Sequence, residues 1–277
     1  MAWDTREMGV FTYGDDTIII GDTQNIVLER LPIQQGDCEE FRLHRTVTYA
    51  TTLDGAPFLY TVPPADQPDW VTDLASVPQL LTWLVPTSGK HLPAALVHDA
   101  LVDDPAIDRY EADALFRDGM GDLEVGFIRR WLMWTAVTFE TIRKRADPPT
   151  KIRTFGSLVL IVLLGAAATV NLATDIAVLP WMGSEEGVGG FLVEAGFGLA
   201  GAVVIPIVLG ALFWAPVRIA GVIAGVAIAV LFHAMLLLAA VYGFYRLLES
   251  TPRRLQQIVG IVLVVAATVA FTWSFLR

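Results

Sequence analysis

At 277 residues the chain has room for one or two domains, and 54% hydrophobic with only 17% charged residues is more apolar than a soluble domain needs. The net charge of −10 falls on residues 1–150, with 12 Lys+Arg against 24 Asp+Glu, while residues 151–277 carry 7 against 5; so acidic a first half excludes general binding to nucleic-acid phosphates. The single cysteine, Cys38, excludes an internal disulfide and fits a reducing compartment.

The first residues, MAWDTREMGV, lack the basic end and apolar run of a signal peptide. Residues 9–62 read as β structure, rich in β-branched and aromatic residues. Within them FRLHRTVTYATTLDGAPFLYTVPP predicts a hairpin turning at Asp54-Gly55. Pro63, Pro64, Asp66 and Pro68 break that pattern, and a helical reading begins at Thr72. Ser76 is a plausible cap of a helix over SVPQLLTWLV, and the loop PTSGKH follows at 86–91. A helix over HLPAALVHDALV comes next, then a loop at 103–108 and helices over 109–120 and 123–145. Residues 1–150 are therefore predicted as a soluble α+β domain, with N-terminal β-hairpins and C-terminal helices.

Residues 151–277 predict an all-α four-helix transmembrane domain. Apolar segments at 155–174, 190–214, 218–247 and 256–276 each reach the roughly 20 residues a span needs. Pro206 should kink the second. In the third, Ala220 and Ala224, then Gly221, Gly225 and Ala229, recur four apart, a seam for packing within the bundle or for a homo-oligomer. Arg143, Lys144, Arg145, Lys151 and Arg153 precede the first span, and the loop 175–189 carries no Lys or Arg. The positive-inside rule then predicts a multi-pass integral membrane protein with a cytoplasmic N-terminal domain; Arg246, Arg253 and Arg254 on a later loop oppose this. His233 and Glu194 lie within spans and are either structural or functional ionisable groups.

The chemistry concentrates around HLPAALVHDALV. His98 can take a proton from water if a carboxylate orients its ring, and Asp113 lies one short loop and about one helical turn away. Asp99 points about 100° from His98 around the helix and could ligate a cation such as Ca²⁺. The Gly89 loop, bounded by Pro86 and Pro93, is the carbonyl source for such an ion, which would stabilise an ester oxyanion. The competing reading makes His98, Asp99 and Asp113 a buried polar network that locks two helices together. Asp73 and Ser76 read as local caps, and Ser76 lacks the elbow motif of a nucleophile. A metal site of Asp73, His91, His98 and Asp99 is an alternative. In FIRRWLMWTAV, the arginines and Trp131 and Trp134 either touch lipid headgroups or pack helices.

A His-Asp pair on a helix, a glycine-containing loop before it and an aspartate on a second helix resemble phospholipase A2. The likeness is to the disulfide-free form of parvovirus capsid proteins, through AALVHDALV followed by EADALF. The resemblance implies His98 as general base, Asp113 as the group orienting it, and Asp99 with the Gly89 loop as calcium ligands. The family usually has Tyr four residues after the histidine, where this chain has Val102, and its calcium loop is richer in glycine than PTSGKH. Over roughly 40–140 the chain also resembles a phage and prophage family known only as a domain of unknown function. The residues that carry this likeness are TDLASVP, AALVHDALV, RYEADALFRDGM and RRWLMWTAV. Two functions follow as expectations: a membrane-tethered lipid hydrolase acting on phospholipid, or a non-enzymatic membrane effector or pore whose N-terminal domain senses a partner.

Overall fold

A computed structural model of the chain describes residues 8–14, 16–17, 26–32, 39–74, 88–174, 176, 178–179, 181 and 187–250. Cys38, Ser76 with the helix expected over 76–85, and the span expected at 256–276 lie outside the described residues. The chain forms two compact units, Met1–Val230 and Leu231–Arg277.

In the first unit, β1 (Val10–Tyr13), β2 (Asp16–Thr17), β5 (Val47–Leu53) and β6 (Ala56–Val62) make one antiparallel sheet in the order β2-β1-β5-β6. β3 (Leu28–Arg30) and β4 (Phe41–Leu43) pair separately. Residues two apart share a sheet face, so Phe11 and Tyr13 of β1 and Val47 and Tyr49 of β5 all turn inward and are buried. The β5–β6 register closes at Leu53↔Ala56, leaving Asp54 and Gly55 as a two-residue loop. Both have positive φ, 50° and 79°, as a type I′ turn requires, which is why Asp-Gly marks the hairpin.

Two helices pack on this sheet, and a third packs on the second of them. α1 (Leu92–Leu101) buries Ala94, Leu96, Val97 and Leu101 among others, because it lies against β5, β6 and α2 together. α2 (Arg109–Asp122) starts at Asp108, whose carboxylate accepts the Tyr110 N–H at 3.0 Å. It stops where Glu124 turns left-handed, φ 51°, and Val125 N–H reaches back to the Met120 carbonyl. α1 and α2 run antiparallel: His98 meets Asp113, and a Cβ at Gly119 would touch Ala94 at 3.5 Å and Phe11 at 2.9 Å. The approach of β1 to α2 therefore requires glycine at position 119. α3 (Phe127–Arg145) completes this half.

α4 (Pro148–Thr174), α5 (Gly187–Phe213) and α6 (Arg218–Glu249) follow. α4 starts ahead of its apolar run because Asp147 accepts the Thr150 N–H and Pro148 has φ preset for a first turn. Among the described residues three helical stretches are long and apolar enough to cross a membrane: Pro148–Asn171, Gly189–Phe213 and Arg218–Leu247. α5 continues through Pro206. The small-residue seam of α6 is used within the chain: an added Cβ at Gly225 would lie 2.9 Å from Pro206, and one at Gly221 would overlap the Trp214 side chain.

Trp214, 1% exposed between α5 and α6, joins these helices to the N-terminal half. Its indole N–H donates to Ser157 Oγ on α4 at 2.9 Å, and its ring lies 6.2 Å from that of Phe139 on α3. Trp134, Ile142 and Ala220 are buried in the same apolar cluster, with Tyr110, Ala146 and Val217 packed against it. In the second unit α6 continues from Leu231 to Glu249, where the His233 ring meets Phe232 edge-on at 5.4 Å.

Candidate functional site

α1 is almost wholly apolar, so His98 and Asp99 are conspicuous on it; both are partly buried. The short connection 102–108 folds α2 back along α1 and sets Asp113 opposite His98. His98 Nε2 and Asp113 Oδ1 are 2.8 Å apart, with the side chains 13% and 1% exposed. Phe116, three residues on from Asp113 and hence on the same face of α2, puts its ring 4.8 Å from the imidazole. The histidine is thus held by a carboxylate at one edge and an aromatic ring beside it. With Nε2 engaged, Nδ1 is the ring nitrogen left for a reacting proton. Asp113 Oδ2 is buried and meets no hydrogen-bond partner among the described residues.

Asp99 belongs to a second set of contacts. It accepts a hydrogen bond from Thr72, which is 2% exposed. Thr72 is placed by a β-bridge to Phe41, with Phe41 N–H donating to the Thr72 carbonyl at 2.8 Å and Thr72 N–H to the Phe41 carbonyl at 2.9 Å. Its hydroxyl oxygen accepts the Leu74 N–H at 2.9 Å, so its own proton is free to serve Asp99. Leu74 takes φ 69° to close this turn. Burial pushes the Asp99 carboxyl above its usual range; the Thr72 bond and the His98 side chain oppose that, while the charges of Asp73 and Asp103 add to it. The Thr72-Asp73 pair of one motif therefore meets the His98-Asp99 pair of the other. The sequence predicts a helical stretch from Thr72 and assigns it no role at the site; Thr72 instead sits in a β-bridge, and its placement depends on a residue far away in the chain.

The loop between the helices is fastened as well. Tyr60 of β6 donates its hydroxyl to Asp104 Oδ2 at 3.2 Å, and Asp104 Oδ1 accepts the Ala106 N–H at 2.9 Å. Burial, then the Asp104 charge, push the Tyr60 phenol up to about 12. Tyr60 is therefore a neutral donor throughout the ordinary pH range. Val102 packs against the central core.

Gly89 takes φ 153°, a conformation that favours glycine, and its carbonyl accepts the Leu92 N–H at 2.9 Å at the start of α1. His91 is buried beside it. Among the described residues no group of three or more His, Cys, Asp or Glu is arranged to hold a metal ion, so Asp73, His91, His98 and Asp99 do not gather as one ligand set. Ca²⁺ takes six to eight oxygens. Among the described residues the site offers the Asp99 carboxylate, the exposed Asp73 and a Gly89 carbonyl already bonded to Leu92, a poor fit to that ion.

On α3, Trp131 and Trp134 meet edge to face at 5.3 Å, and Arg117 of α2 lies over both rings at 5.5 and 5.4 Å. These tryptophans pack helices, while Phe127, Ile128 and Arg129 at the start of α3 are exposed. Glu194 is partly buried on α5. A further buried polar pair escaped the sequence reading: Tyr49 donates to Asp122 Oδ2 at 2.7 Å and ties β5 to the end of α2.

Residues 59–137 match the family model described as "Protein of unknown function (DUF1353)". The matched span runs from β6 into α3 and includes Thr72, Asp73, His98, Asp99 and Asp113. Comparison with curated proteins and comparison with solved structures each found no match.

Proposed function

We propose that the chain is a membrane-tethered lipid hydrolase in which His98 activates water against a phospholipid ester. The observation that carries this reading is the 2.8 Å contact between His98 Nε2 and the buried Asp113 carboxylate. A neutral imidazole donating Nε2–H to Asp113 leaves its lone pair on Nδ1, the arrangement a general base needs. Water gives a proton to Nδ1 as its oxygen attacks the ester carbonyl carbon. The tetrahedral intermediate then expels the alkoxide, which takes the proton from the imidazolium, and fatty acid and lysophospholipid leave. Asp113 stabilises the imidazolium while it lasts, and the Phe116 ring limits how the imidazole turns. The resemblance to phospholipase A2 supports the ester class, and the three long apolar helices support a lipid substrate, by raising its local concentration. The phage-type resemblance supports a role in lysis, toxicity or defence, exerted from the cytoplasmic leaflet.

The test is fatty-acid release from phospholipid vesicles by full-length protein, for wild type, His98→Ala and Asp113→Ala, each with Ca²⁺ and with chelator. The proposal expects release by the wild type and its loss in His98→Ala. Absence of release by folded wild type under every condition would end it. Equal activity with Ca²⁺ and with chelator would remove the cation role that the resemblance gives Asp99 and Gly89.

A second reading, a non-enzymatic membrane effector, draws on the low exposure of the pair, 13% and 1%. In that reading the contact fixes α1 on α2. Vesicle leakage that persists in His98→Ala and disappears without residues 151–277 would favour it.

A further inference from the structure

The end of α4, α5 and α6 that faces the N-terminal half gathers cations from three separate segments. Arg143, Lys144 and Arg145 end α3, Lys151 and Arg153 sit in the first turns of α4, and Arg218 opens α6. The sequence separates Arg145 from Arg218 widely, and the fold brings them to one place. Ala146, next to Arg145, and Val217, next to Arg218, pack against the cluster that holds Trp214, and the Trp214 indole bonds Ser157 on α4. Arg143, Lys144, Arg145, Arg153 and Arg218 are exposed, and Lys151 is partly so. Glu140 pairs with Arg143 and Lys144, and Asp147 lies near Arg153. Arg145, Lys151 and Arg218 have no carboxylate within ion-pair distance among the described residues, which leaves a positive excess at this end. Ile152, 72% exposed, and Phe155, 37% exposed, are apolar neighbours of these cations on α4.

We infer that this collar binds the headgroups of anionic phospholipids, with Arg145, Lys151 and Arg218 on the phosphates and Ile152 and Phe155 against the acyl chains. The apolar cluster around Trp214, against which Ala146 and Val217 pack, is what holds the ends of α3 and α6 near one another. Cations just outside an apolar span attract anionic lipid, and their fields fade within a Debye length, so the contact is local to this end. The inference goes beyond the hydrolytic reading and does not rest on it.

The test uses short-chain lipids with ether-linked tails, which carry no ester to hydrolyse. Binding of the phosphatidylglycerol and phosphatidylcholine forms to detergent-purified full-length protein is measured at low and at high salt. The expected result is tighter binding of the phosphatidylglycerol form at low salt and loss of that preference at high salt. In Arg145→Gln/Lys151→Gln/Arg218→Gln the preference should fall roughly fivefold per cation, roughly a hundredfold together. A control, Arg30→Gln, alters an exposed arginine on β3 and should leave the preference intact. Inorganic phosphate should not displace the lipid. Equal binding of the two lipids by the wild type overturns the inference, as does a preference that survives high salt, survives in the triple variant, or yields to free phosphate. The salt arm reads the wild type alone and stays decisive if the triple variant fails to fold.

Discussion

The contact between His98 and Asp113 makes a quantitative prediction that needs no substrate. His98→Ala strips a 1%-exposed carboxylate of its donor, and Asp113 Oδ2 has no partner among the described residues to compensate. Removing one member of a buried pair in this way costs about 3–5 kcal/mol. Asp113→Ala leaves His98 Nε2–H without an acceptor, but the imidazole is 13% exposed and can reach water, so the loss is smaller, about 1–3 kcal/mol. The double variant removes both groups and leaves no bare charge. Its destabilisation should therefore fall short of the sum of the singles by about 1.5–3 kcal/mol, the range of a charge-assisted hydrogen bond. Urea unfolding of detergent-purified full-length protein, read by pulse proteolysis of the N-terminal half, gives all three values. If the single losses add to the double within about 0.5 kcal/mol, the two residues are not coupled and the argument for an oriented histidine fails.

Three further outcomes follow from the geometry. Burial holds the Asp99 carboxyl above its unfolded pKa, so the folded state binds the extra proton and the ionised form is the strained one. That penalty is absent below the unfolded pKa and grows as pH rises through the folded pKa; Asp99→Asn should therefore gain stability relative to wild type as pH is raised from acid to neutral, and a pH-independent difference in urea midpoints would refute this. Tyr49→Phe removes the 2.7 Å bond to buried Asp122 and should cost about 1.5–3 kcal/mol by the same unfolding measurement, with no change counting against a charge-assisted bond. Gly221→Ala places a methyl against the Trp214 ring and should cost about 1–3 kcal/mol with a shift in tryptophan emission; unaltered emission and stability would mean that α6 does not pack on Trp214 so closely.

How far each feature was legible depended on sequence separation. The Asp54-Gly55 hairpin was readable because two adjacent residues with positive φ determine it. The meeting of His98 and Asp113 was readable because a short loop between two helices leaves the second helix few ways to return. Thr72 as the partner of Asp99 was not, since Phe41 holds it by a bridge that no local pattern announces. The Trp214–Ser157 bond joins residues 57 apart and was equally hidden, since Trp214 reads locally only as the last residue of an apolar span. The start of α4 was placed late because hydropathy registers the apolar run, whereas Asp147 and Pro148 start the helix earlier.

The loop between α1 and α2 has a consequence for control. It confines His98 and Asp113 to one helical hairpin, and Tyr60 fastens that loop to the sheet through Asp104. Parting the pair would mean pulling α1 out of the centre of the core, which no small signal can drive. The pair is therefore preassembled whether or not anything is bound. On the hydrolytic reading, a partner, a lipid or a change of state in the helices that follow would regulate the site through access to His98 and not through the pair.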